Sequence, residues 1–96
     1  MAIKGMIALG DVWKALADPT RREILLLLRR RDMNAGEIAE NFEMSKPSVS
    51  NHLNILKQAD LVNADKQGQN VIYSLKTGVF EDMLRLLSSL TNRQED

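Results

Sequence analysis

The chain contains no cysteine, which removes disulfides and thiolate metal ligation together. It has a single histidine, so no multi-histidine site can form within one chain. Aromatic residues are scarce, with two Phe, one Tyr and one Trp, and they offer little with which to line an aromatic ligand pocket. Neither sign of charge predominates: 13 Lys and Arg stand against 13 Asp and Glu. Nucleic-acid binding depends on where positive charge sits rather than on its total, although a neutral binder neutralises fewer phosphates and so has less non-specific affinity. Long apolar runs are missing too. Ile24 to Leu28 falls far short of the roughly 20 residues a membrane span requires. The start, MAIKGMIALG, has no apolar stretch long enough for a secretory signal. A cytoplasmic chain is expected. At 96 residues it reads as one domain, 1–96, burying only about 60–70% of its unfolded surface. Dimerisation would supply further burial.

Residues 1–8 carry little pattern and predict a loose N-terminal arm. Leu9, Val12, Trp13 and Leu16 follow at helical spacing. Asp18-Pro19 interrupts them, because proline disfavours helix in the residue before it. Asp18 can then cap a second helix with Pro19 at its first position. That helix, PTRREILLLLRRRD, buries Ile24, Leu25, Leu27 and Leu28, and Arg29, Arg30 and Arg31 complement its dipole. Asn34 with Glu37 has capping-box spacing and opens a third helix, whose apolar set is Ala35, Ile38, Ala39 and Phe42. After a turn at Glu43-Met44, Ser45 caps a fourth helix with Val49, Leu53 and Leu56 on its apolar face. Beyond Asp60 the pattern becomes β-prone. Leu61-Val62 and Val71–Leu75 flank a turn at Lys66–Asn70. Thr77-Gly78 then open a last helix with Val79, Phe80, Met83, Leu84, Leu87 and Leu90 on one stripe.

The expected fold is mainly α with a small β-hairpin (α+β), in the order α-α-α-α-β-β-α. Two short helices joined by a tight turn, the second followed by a hairpin, describe a winged helix-turn-helix. The helix-turn-helix occupies 34–59, the wing 61–75 and the last helix 78–91. The third helix would cross the DNA backbone while the fourth enters the major groove. With Val49 at the centre of the buried face, Pro47, Ser48, Asn51, Asn54 and Gln58 fall on or near the far one. Asn51 suits a bidentate pair with an adenine edge, Ser48 either donates or accepts, and Lys46 reaches a guanine edge or a phosphate. Ser45, Ser50 and His52 read as backbone-positioning groups beside the helix N-terminus. Lys66, Gln69 and Asn70 at the hairpin tip suit a phosphate or the minor groove. Arg21 and Arg22 stand near a helix start, where positive charge is unfavourable. That position predicts either a phosphate contact or a buried ion pair.

The stretches ALADPTRREILLLL, AGEIAENFEMSKPSVSNHLNILKQADLV and GQNVIYSL resemble the ArsR family of bacterial winged-helix repressors over Trp13 to Leu75. DMNAGEIAENF and SKPSVSNHLNILKQA bring the chain nearest to that family's SdpR-like autorepressor branch. The resemblance implies a homodimer built from the first and last helices, with recognition helices in successive major grooves. It also implies repression of an operon, often the protein's own, at a palindromic operator in double-stranded DNA. By position it assigns DNA contacts to Lys46, Ser48, Asn51 and His52, flanked by Ser45 and Ser50. A membrane protein that sequesters the repressor is the partner the branch implies. Many family members sense metals through a cysteine pair in the third helix or through Asp and His in the last. Here the third helix reads AGEIAENF, without cysteine, and the last reads VFEDMLRLLSSL, without histidine. Glu81 and Asp82 are neighbours on different helix faces, a poor zinc pair. No metal, cofactor or small-molecule substrate is expected.

Two other readings share the fold. A sensor holding a small molecule or an unconventional metal at its dimer interface is disfavoured by the shortage of aromatics. A protein–protein interaction module draws support from the zero net charge, but the polar, uncharged far face of the fourth helix counts against it. An enzyme is disfavoured because there is no cysteine nucleophile, usable carboxylate pair or Gly-rich phosphate loop, and the single histidine lies in the helix-turn-helix. The stripe from Val79 to Leu90 exceeds what a small core can absorb, so it should supply the dimer seam, completed by Val12, Trp13 and Leu16. A Leu87→Asp chain is expected to sediment as a monomer; a tight dimer in ultracentrifugation would place the seam elsewhere.

Overall fold

The chain's first bend comes from Asp18-Pro19. In the computed structural model, which describes residues 9–92, helix α1 (Leu9–Leu16) ends before this pair and α2 (Pro19–Arg30) begins within it. The arm expected over 1–8 lies outside the described residues. Asp18 Oδ1 accepts the backbone N–H of Thr20 at 2.7 Å and of Arg21 at 3.2 Å. Pro19 meanwhile lacks the N–H that a first helical position would leave unpaired. A two-residue strand β1 (Met33–Asn34) follows, then α3 (Ala35–Ala39), α4 (Lys46–Gln58), β2 (Val62–Gln67), β3 (Asn70–Leu75) and α5 (Gly78–Thr91).

Both helices of the helix-turn-helix are started by their own side chains. Asn34 Oδ1 accepts the Glu37 N–H at 2.8 Å, and Glu37 Oε1 accepts the Asn34 N–H at 2.9 Å, which completes the expected capping box. Helix α3 stops at Ala39 rather than running on to Phe42. Asn41 Nδ2 donates to the Glu37 carbonyl at 3.1 Å, while the N–H groups of Asn41 and Phe42 reach back only three residues. The amide side chain thus competes with helix continuation and the backbone tightens into a turn. Ser45 Oγ then accepts the Ser48 N–H at 3.3 Å and starts α4. At the far end Asp60 takes the left-handed conformation, φ 65°. The N–H of Leu61 reaches back to the Leu56 carbonyl, and Asp60 accepts from Lys76 Nζ at 2.7 Å.

The expected hairpin belongs to a three-stranded antiparallel sheet in the order β1-β3-β2. Strand β1 pairs Met33 with Tyr73 and Asn34 with Ile72. Two residues are too few to show a period, so this strand had no signal in the sequence. Strands β2 and β3 extend closer to the tip than expected, from Val62↔Leu75 to Gln67↔Asn70. Asn63 to Lys66 have weak β propensity, but pairing with β3 brings them into the ladder. Gly68 opens the two-residue loop at φ 63°, where a side chain would be strained.

The core gathers Val12 and Ala15 of α1, Ile24, Leu25 and Leu28 of α2, Ile38 of α3, and Val49, Leu53 and Leu56 of α4. Met33, Ala59, Leu61, Val62 and Met83 complete it. Val12 is fully buried within the protomer and so takes no part in an external seam. The helical step that turns Val12 and Ala15 inward leaves Trp13 exposed instead. In α5 only Met83 is buried, while Leu84 and Leu90 are 67% and 74% exposed.

Burial pushes the Asp18 carboxyl up, but the N–H groups of Arg21 and Thr20 and the Arg21 charge outweigh this and leave it below its ordinary value. The Asn34 N–H, with help from Arg31, holds Glu37 low as well. Carboxyls depressed in the folded state stabilise it above their unfolded pKa, and that stabilisation is lost as pH falls through the folded value. The urea midpoint is therefore expected to fall as pH is lowered from about 5 toward 3. Asp18→Asn, still a good cap, should flatten part of that fall, whereas Ser45→Ala should cost about 1 kcal/mol at neutral pH.

Candidate nucleic-acid interface

Helix α4 has two unlike faces. Val49, Leu53 and Leu56 are fully buried, and Lys46, Pro47, Ser48, Asn51, Asn54 and Gln58 are exposed on the other side. None of these exposed residues is acidic. Ser45 Oγ donates to Ser48 Oγ at 3.1 Å while accepting the Ser48 N–H, so both hydroxyls are held at the helix start. Hydroxyls and free N–H groups at a helix N-terminus suit phosphate oxygens. The amide of Asn51, one turn further in, has the donor and acceptor an adenine edge requires.

Some of the residues expected to act together are neighbours. Lys46 and half-buried Ser50 line an open groove of about 470 Å³ with Gln69, Asn70 and Tyr73 of the hairpin. Lys66 is exposed on β2 and pairs with Val71, which lines that groove, although Lys66 itself does not line it. Glu37 and Glu40, which were not anticipated there, also line the groove. They arrive because β1 pairs with β3 and draws the start of α3 beside the wing. The Glu37 carboxylate is already engaged, accepting the Asn34 N–H at 2.9 Å and facing Arg31 Nη1 at 3.3 Å. Arg31 thereby offsets a negative charge that would otherwise repel phosphate.

Arg21 follows the buried alternative. It is 9% exposed, and its guanidinium donates to the carbonyls of Ala15 at 2.8 Å and Lys14 at 3.0 Å. Nη1 lies 3.3 Å from His52 Nδ1, and Asp18 Oδ2 is 3.8 Å away. Arg21 therefore stands behind α4 rather than on its exposed face. His52, half-buried, is the α4 residue it touches. The exposed Arg22 donates to the Leu16 carbonyl at 2.8 Å, so both arginines close the end of α1.

Among the described residues, no three His, Asp or Glu side chains gather as metal ligands, and no helix is long and apolar enough to cross a membrane.

Known proteins carry the same arrangement. Residues 18–64 match the model of the bacterial regulatory protein arsR family. The chain is 48% identical to the transcriptional repressor SdpR of Bacillus subtilis, over 92% of this chain and 98% of that protein. It superposes on an ArsR-like transcriptional regulator from Rhodococcus with a TM-score of 0.79 and 32% identity, covering 88% of this chain and 80% of that one. HlyU from Vibrio cholerae superposes with a TM-score of 0.71 and 32% identity, covering 95% and 98%. These relatives are regulators rather than enzymes. With a cap-started helix-turn-helix, a three-stranded wing and this degree of likeness, the chain belongs to the ArsR family of bacterial regulatory proteins.

Proposed function

We propose that the protein is a cytoplasmic, homodimeric transcriptional repressor that reads a palindromic operator in double-stranded DNA. The observation that carries this reading is helix α4, fully buried along Val49, Leu53 and Leu56 and wholly non-acidic on its exposed face. Ser45, Lys46, Pro47, Ser48, Ser50 and Asn51 form the contact surface, with His52 at its inner edge. Lys66 and Gln69 extend the surface along the wing. Phosphate contacts from the helix start, Lys46 among them, set the register, and Asn51 reads a base edge.

An exposed apolar surface supports the dimer. Leu84, Leu87, Leu90 and Trp13 are all exposed in the protomer, although they are large and apolar. Three of them recur along α5 at helical spacing, so a second copy of the same face covers them in a two-fold arrangement. Two α4 helices then meet half-sites about one helical turn apart. Repression, rather than activation, follows from the likeness to SdpR, which is named a transcriptional repressor. Relief of repression through a sequestering membrane protein is consistent with a chain that has no cysteine pair with which to bind a metal.

Fluorescence anisotropy against the DNA upstream of its own coding sequence tests the reading, with a scrambled duplex as control. Tight, salt-sensitive preference for the upstream DNA, unchanged by chelator or Zn²⁺, is the expected result; loss of binding with Zn²⁺ alone would favour a metal sensor. Lys46→Ala should weaken binding to any sequence and lower the salt slope by about 1. Asn51→Ala should cost about 1–3 kcal/mol and relax preference at one base pair.

A further inference from the structure

The side chain of Arg21 joins three helices, and its chemistry fixes the state of one residue on the DNA-reading helix. A guanidinium has donors only. Its Nε and Nη2 are directed at the last carbonyls of α1, Ala15 and Lys14, which a helix end leaves without intrahelical partners. Nη1 remains, 3.3 Å from His52 Nδ1. Because Arg21 can only donate, Nδ1 has to accept, and the neutral ring then carries its proton on Nε2.

Among the described residues Nε2 has no protein partner, and no buried side-chain nitrogen or oxygen is left unpaired. That nitrogen therefore keeps some access to solvent. A ring whose inner nitrogen accepts from a cation is also a stronger donor at its outer one.

We propose that Arg21 is the positioning residue for a DNA contact made by His52, holding the imidazole in its Nε2–H form so that this N–H donates to a backbone phosphate. The proposal rests on the reading of α4 as the recognition helix. It assigns Arg21 an indirect role, in place of the direct phosphate contact that was one expectation from its position. Because the same guanidinium clamps the end of α1, it also sets where His52 lies relative to the helix that carries Trp13.

The test uses the full-length dimer and two probes, the upstream duplex and a mixed-sequence duplex. In the free protein, ¹⁵N ring spectra should show His52 as one form with its proton on Nε2. Arg21→Met should leave it exchanging between both forms. A ring protonated on Nδ1 in the wild-type protein overturns the assignment. His52→Phe and Arg21→Met should each weaken both duplexes by about tenfold. The double variant should be no weaker than either single one. Since a neutral donor displaces no counterion, the slope of log affinity against log salt should stay unchanged in both. If Arg21 touched phosphate itself, Arg21→Met would lower that slope by about 0.9 and the two losses would add, which defeats the proposal. His52→Gln restores an N–H donor and should recover most of the lost affinity. His52→Phe leaves the α1 clamp in place and decides the matter if Arg21→Met fails to fold. A wild-type protein that binds neither duplex sinks the recognition-helix reading and this proposal with it. Wild-type binding with an indifferent His52→Phe sinks this one alone.

Discussion

The burial of one stripe of α4 is the constraint on which the rest of the molecule depends. Val49, Leu53 and Leu56 are all removed from solvent, and each must be met by side chains from another element. Helices α1 and α2 supply Val12, Ala15, Ile24, Leu25 and Leu28, α3 supplies Ile38, and the wing root supplies Leu61 and Val62. A buried Leu reduced to Ala in such a core costs about 2–5 kcal/mol, a large share of what a chain this small can have in reserve. The same packing sets the rotation of α4 about its axis. Ser48 and Asn51 lie opposite the stripe and face outward, and this is how a core requirement aims them.

Electrostatics refines what packing sets up. The chain is neutral overall, yet its charges are sorted. Arg21 is drawn inward by two carbonyls and Asp18, Arg31 answers Glu37, and Lys76 answers Asp60. Exposed pairs of this kind add little stability. Arg21 differs because it is buried and its donors are matched, and leaving the Ala15 carbonyl unpaired would cost more than the pairing itself contributes. Lys46, in contrast, stands exposed at the start of α4, where its charge remains available to a polyanion.

The protomer is incomplete as an apolar body. Leu84, Leu87 and Leu90 project from α5, and Trp13 projects from α1. At this chain length the core cannot enclose every apolar residue, and apart from Leu26 of α2 the large exposed ones lie on the first and last helices. A division of labour follows from that placement: the terminal helices are suited to hold copies together, and the central ones to meet DNA.

Much of this was legible in the residues themselves. Asp18-Pro19, the Asn34–Glu37 box and Ser45 act within a few residues of chain, so the helix starts they dictate could be read directly. The period of Val49, Leu53 and Leu56 likewise sorted α4 into an inner and an outer face. Strand β1 and the acidic lining of the groove were not legible, because each depends on a partner distant in sequence; the shortened α3 was not, because Asn41 is compatible with either continuing the helix or ending it through the Glu37 carbonyl. Met33 becomes a strand only when Tyr73 lies beside it, and Glu37 and Glu40 share a groove with Gln69 and Tyr73 of the wing. Arg21 shows the division most clearly. Its sequence position allowed either a phosphate contact or a buried pair, since local rules say only that a cation near a helix start needs a partner. Tertiary structure chose, by bringing the carbonyl end of α1 and the ring of His52, 31 residues away, within reach of one guanidinium.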